Sequence, residues 1–190
     1  MNRISDQSVE DYLGAVSAKR STPGGGAVAA VVAAEACALL EMVLGFTRSE
    51  DSRLTGMAER LAETRPQLLA LADQDMAAFD KVMQAYRGEG DLEAALVLAA
   101  EAPLAITAIC RILAADAALL GEIGNRNLIT DVAIAASLLI AALDSSEVNV
   151  RVNTRAMQRE RTATEARLGD DAALKQTLSD LIADIRSDLA

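Results

Sequence analysis

Thirty-nine of the 190 residues are alanine, while only four, Tyr12, Phe46, Phe79 and Tyr86, are aromatic. Alanine is the best helix former and fills little space, whereas a sheet-based core wants many more aromatic and β-branched side chains. Those proportions point to an all-α fold, a bundle of long antiparallel helices. A chain of this length can bury one self-sufficient core. No linker, strand pattern or repeat interrupts it, so residues 1–190 read as a single domain.

The apolar spacing places the helices. Ser5 reads as an N-cap with Ile4 and Val9 at hydrophobic-staple spacing, and Thr22-Pro23-Gly24-Gly25-Gly26 stops that first helix. A second helix, 27–46, is apolar nearly all round and should be central. A third, 53–86, keeps Leu54, Leu61, Leu68 and Val82 in register, and a fourth runs over 92–120. Pro66 and Pro103 should kink these two. A fifth starts at Thr130 or Asp131 and runs to Met157, and a last one presents Leu174, Leu178, Leu181, Ile185 and Leu189 on one stripe. Helices two, four and five look apolar on more than one face, which predicts a homodimer or a higher assembly.

Charge and missing residue types narrow the chemistry. Eighteen basic against 28 acidic residues give a net charge of −10, and almost nothing aromatic is present to stack bases, so nucleic acid is not an expected partner. With no histidine, Ser-His-Asp and Cys-His catalysis are absent and zinc loses its commonest nitrogen ligand. No metal site is expected. Cys37 and Cys110 both sit in apolar runs and read as reduced core thiols of a cytoplasmic protein. The polar N-terminus lacks a signal-peptide core, and the apolar runs are broken by charges, so no membrane partner is expected.

Three polar features stand out. Gly24-Gly25-Gly26 feeds a helix start with bare backbone N–H groups, which suits either an anion or a tight interhelical turn. Asp75 falls on the apolar stripe with Leu61, Leu68, Ala72, Phe79 and Val82, whereas Asp73 is rotated about 200° away. A carboxylate there is either a structural cap or ion pair, or a general acid whose pKa burial raises. Asn149 and Asn153 project from one helical face, and Glu147, Arg151, Arg155 and Arg159 form a charged stripe at intervals of four.

Taken in order, Pro23-Gly24-Gly25-Gly26-Ala27-Val28, Asp73-Gln74-Asp75-Met76-Ala77-Ala78-Phe79, Ala102-Pro103-Leu104, Gly124-Asn125 with Thr130-Asp131, and Asn149-Val150-x-x-Asn153 resemble one family. The resemblance is to the cyclodeaminase/cyclohydrolase family, including the cyclodeaminase half of formiminotransferase-cyclodeaminase, over nearly the whole chain. It implies an all-helical dimer acting on a tetrahydrofolate derivative as substrate, with neither metal nor redox cofactor. One branch turns 5-formimino-tetrahydrofolate into 5,10-methenyl-tetrahydrofolate and ammonia. Another hydrolyses the methenyl compound to 10-formyl-tetrahydrofolate. A helical dimer that kept the fold and lost catalysis is a third reading. Carried over, the resemblance makes Asp75 and Asp131 catalytic. It makes Pro23, Gly24, Gly25, Gly26, Asp73, Phe79, Asn149 and Asn153 substrate-binding. The chain departs from the family pattern at Ala27, Arg48-Ser49 and Ser145-Ser146.

Overall fold

A computed structural model describes residues 3–189. Seven α-helices follow in order: α1 Val9–Ser17, α2 Gly25–Gly45, α3 Met57–Tyr86, α4 Leu92–Ile123, α5 Ile129–Ala156, α6 Arg161–Leu168 and α7 Ala172–Ser187. No strand occurs among the described residues. Four long helices make the body. α2 packs on α3 and α5, α4 closes the other side against the same two, and α7 lies along α5 and α4. α2 and α5 run antiparallel: Gly25 at the start of α2 lies beside Asn149 near the end of α5. At the opposite end, the Asn125 side chain donates to the Phe46 carbonyl at 2.9 Å.

Alanine does what its abundance suggests. Ala27, Ala30, Ala33, Ala36, Ala135, Ala136 and Ala142 are fully buried in the principal core, letting α2 and α5 approach closely among Leu40, Leu61, Leu113, Leu120 and Leu139. A smaller apolar cluster around Leu96, Ala100, Val150 and Leu168 joins α4 to the end of α5 and to α6. Cys37 and Cys110 are buried and unpaired, and burial pushes their thiols up to about 11 and about 12. Pro66 and Pro103 each sit inside a continuous helix, so neither ends its element.

Several boundaries differ from expectation for local reasons. Ser5 caps nothing: Ile4–Asp6 is a 3-10 turn, and Ser8 is the α1 cap, accepting the Asp11 N–H at 3.1 Å. Val9 is 76% exposed and staples nothing, while Ile4 is buried. α5 stops at Ala156, so Arg159 lies beyond it and the four-residue charged stripe is broken. There the Glu93 carboxylate accepts the backbone N–H groups of Gln158, Arg159 and Glu160, clamping the turn to the start of α4.

The apolar runs are also longer than the sequence suggested. Gly25–Gly45, Leu92–Ile123 and Arg126–Ala156 are each long and apolar enough to cross a bilayer by length and composition, and an 18-residue stretch of each has a mean hydropathy of 2.1, 1.9 and 1.8 respectively. Helices carry the apolar character past the interrupting charges, so run length alone does not decide that question. Half of that stretch is buried inside the fold in α2, 39% in Arg126–Ala156 and 61% in α4.

Candidate active site

The N-terminus of α2 faces the middle of α3, and the approach is close because residue 26 has no side chain. A methyl group on Gly26 would overlap Cγ and both carboxylate oxygens of Asp75. Asp75 thus lies directly against the helix start, where the Ala27 N–H opposes its carboxyl. Burial is the larger influence and pushes the Asp75 carboxyl above its usual range, with the Ala27 N–H pulling partly the other way. No basic side chain pairs with Asp75 among the described residues, which removes the ion-pair reading of this carboxylate.

α5 supplies the facing wall. Asn149 donates through Nδ2 to the Ser145 carbonyl at 2.7 Å, and Asn153 donates through Nδ2 to the Ala99 carbonyl at 3.1 Å. Only an amide nitrogen can donate to a carbonyl, so one N–H of each amide is used, which fixes the orientation of both and leaves each Oδ1 as an acceptor. The resulting cavity, about 230 Å³, gathers Gly24, Gly25, Gly26, Asp75, Phe79, Asn149 and Asn153. Ser21, Thr22, Ala99 and Val152 complete it, and the sequence reading missed all four. Val152 follows Asn149 by one helical turn and could have been inferred from that spacing. Ala99 carries no such signal, because its backbone carbonyl does the work.

Three expected residues lie elsewhere. Pro23 lines a neighbouring cavity of about 640 Å³ with Asp11, Arg20 and Met76, which shares Thr22 with the first. Asp73 points to the other side of α3, as its rotation requires, and accepts the Ile4 N–H at 3.0 Å with Arg3 at 3.9 Å. Asp131 is half-buried in the first turn of α5 and caps nothing, since the cap position is Leu128. It precedes Asn149 by 18 residues, about 27 Å of helix, so its own chain does not bring it to Asp75. The segment Gly124-Asn125 also sits at that far end, where the Asn125 N–H donates to Thr47 Oγ1 at 3.1 Å beside Arg48. Among the described residues no cluster of three or more potential metal ligands occurs.

Comparison with known proteins agrees with this architecture. Residues 8–168 match the sequence model of the formiminotransferase-cyclodeaminase family. A methenyltetrahydrofolate cyclohydrolase of Methylorubrum extorquens is 30% identical over 180 residues, 86% of each chain. A formimidoyltransferase-cyclodeaminase of Mus musculus is 29% identical over 80% of this chain, which spans only 31% of that longer protein. The crystal structure of formiminotetrahydrofolate cyclodeaminase from Thermotoga maritima superposes with a TM-score of 0.81 at 34% identity, covering 96% of this chain and 99% of that one. By sequence and fold the chain is a member of the formiminotransferase-cyclodeaminase family.

Proposed function

We propose that this protein is a cytoplasmic, homodimeric folate one-carbon enzyme that converts 5-formimino-tetrahydrofolate into 5,10-methenyl-tetrahydrofolate and ammonia, using neither metal nor redox cofactor. The observation that carries the reading is Asp75: a carboxyl raised in pKa by burial, without a cationic partner among the described residues, and seated in a cavity with two oriented amides. A general acid working near neutral pH needs such a shift.

In this reading N10 attacks the formimino carbon and its proton passes to the formimino nitrogen, giving a tetrahedral carbon between N5 and N10 that carries an amine. Asp75 in its acid form hands a proton to the departing amine, which leaves as ammonia while the methenyl cation forms. The carboxylate left behind faces that cation and stabilises it. Asn149 Oδ1 and Asn153 Oδ1 suit the N–H groups of a pterin. The 230 Å³ cavity lies below the range of about 300–1,000 Å³ typical of whole-ligand sites. It therefore suits the ring system and reacting carbon, with the tail outside.

The cyclohydrolase reading rests on one observation: the relative that the chain matches over 86% of both lengths is a methenyltetrahydrofolate cyclohydrolase. Water would then add to the methenyl carbon and give one proton to Asp75, and the bond to N5 would break as the remaining hydroxyl proton passes to N5, leaving the 10-formyl product. Calorimetric titration with reduced folates, followed by assays on both substrates, decides. Ammonia release from the formimino compound supports the first reading, and turnover of the methenyl compound alone supports the second. Binding without turnover leaves a non-catalytic folate-binding dimer, and absence of binding removes folate.

A further inference from the structure

α4 carries a buried proline, Pro103, in its interior. Proline has no backbone N–H, so the helical bond from residue 103 to the carbonyl four residues back, that of Ala99, is missing, and the ring crowds that carbonyl. Ala99 is only 6% exposed, and an orphaned carbonyl there is costly unless the protein supplies a donor. The donor comes from another helix: Asn153 Nδ2 of α5, at 3.1 Å and 54 residues away in the chain. Asn149, one turn earlier, behaves differently, donating to the Ser145 carbonyl of its own helix. Asn153 bypasses the equivalent carbonyl, that of Asn149, and reaches across to Ala99. Pro66 gives an internal comparison. It removes the same bond to Ala62 in α3, but Ala62 and Pro66 are both exposed, so that carbonyl opens to water.

We infer that Pro103 is a positioning residue for the Asp75 cavity, acting through the Ala99 carbonyl to fix which end of the Asn153 amide faces a ligand. The two ends of an amide have similar shape and opposite hydrogen-bonding character. With Nδ2 held on Ala99, Oδ1 is the end left as an acceptor. A half-turn of the amide would present a donor instead, where an N–H of the substrate would meet another N–H. In an unbroken helix the Ala99 carbonyl would accept from residue 103 and lie along the axis, and its hold on Asn153 would weaken. Ala99 and Asn153 line the cavity while Pro103 does not, so Pro103 acts at one remove from any ligand. The contact between Oδ1 and an N–H of the substrate rests on the folate reading. The coupling between Pro103 and Asn153 is independent of it.

A double-mutant cycle on the full chain without ligand tests the coupling. Asn153→Ala strands the Ala99 carbonyl, and Pro103→Ala supplies an N–H that can take it. The change in melting temperature caused by Pro103→Ala should therefore be more favourable, by at least about 2 °C, in the Asn153→Ala background than in wild type, the scale of one buried hydrogen bond. Pro66→Ala should shift the melting temperature equally in both backgrounds. A Pro103 that merely fills space also gives equal shifts, and that result overturns the proposal. With active enzyme, Pro103→Ala should raise KM about threefold to tenfold with kcat within about twofold, and should add nothing to the KM of Asn153→Ala. Pro66→Ala should leave both constants unchanged. A normal KM in Pro103→Ala, where Asn153→Ala raises it, overturns the positioning role. A chain that turns over no folate fails the proposed function, while the melting cycle still reports whether Pro103 sets Asn153.

Discussion

Asp75 and Gly26 are a single device made of two residues. The carboxylate occupies the space that any side chain at 26 would need. Gly26→Ala should therefore displace Asp75, cost about 1–3 kcal/mol as an overpacked site, and reduce turnover by roughly 10²-fold. Gly14→Ala is the control. Nothing lies within 4 Å of the added methyl in the middle of α1, so that variant should gain up to about 1 kcal/mol with unchanged activity. Thermal melting and steady-state rates on the two variants check this. The raised Asp75 pKa also has a sign in stability. A folded-state pKa above the unfolded value of 3.8 contributes stability below that pH, and the contribution is lost as pH rises through the folded value. Asp75→Asn has no such slope, so its melting temperature relative to wild type should rise between about pH 3.5 and pH 7. A flat difference across that range would mean that the carboxyl is not perturbed.

Helices long enough to show several turns of periodicity were legible from the sequence. α2 to α5 lie within a few residues of their expected spans, because Ala, Leu and Val at helical spacing need a common face to bury. The short N-terminal segment was not legible. Ser5 follows apolar Ile4 and Ser8 precedes apolar Val9, and tertiary contact chose between them by drawing Ile4 into the core and its N–H to Asp73. Asn149 and Asn153 were identifiable as neighbours from their spacing. That Asn153 turns to the Ala99 carbonyl depends on where α4 passes, which no local pattern encodes. The end of α5 is likewise set from a distance, by Glu93. Three backbone donors hold the Glu93 carboxyl below its usual range, so the stability it lends is present above that range and lost as pH falls through the lowered value. Glu93→Ala should loosen residues 157–160, read as faster amide exchange there, with little change in the protection of α2 or α3.

At the scale of the molecule, α3 and α4 are joined by a buried contact that the sequence did not reveal. Arg60 donates to Asp116 Oδ1 at 2.6 Å, and Asp116 is only 8% exposed while the Arg60 side chain is 41% exposed. Among the described residues Asp116 Oδ2 has no hydrogen-bond partner. The two partners should therefore respond unequally. Arg60→Met strands a buried carboxylate and should cost about 3–5 kcal/mol, whereas Asp116→Leu lets Arg60 turn to water and should cost about 1–2 kcal/mol. Equal losses in urea unfolding would mean the pair is not buried as described. The four long helices so joined hold the start of α2, the middle of α3 and the end of α5 in one place, and that is what makes a cavity around Asp75.

Single-turnover kinetics of Asp75→Asn, with reduced-folate affinity measured on the same preparation, tests that cavity most directly. The amide keeps the shape and an acceptor oxygen but transfers no proton. The rate of the chemical step should fall roughly 10²-fold or more while affinity stays within about threefold and the protein stays folded. A variant that binds and turns over folate at the wild-type rate would show that Asp75 is not the group that moves the proton.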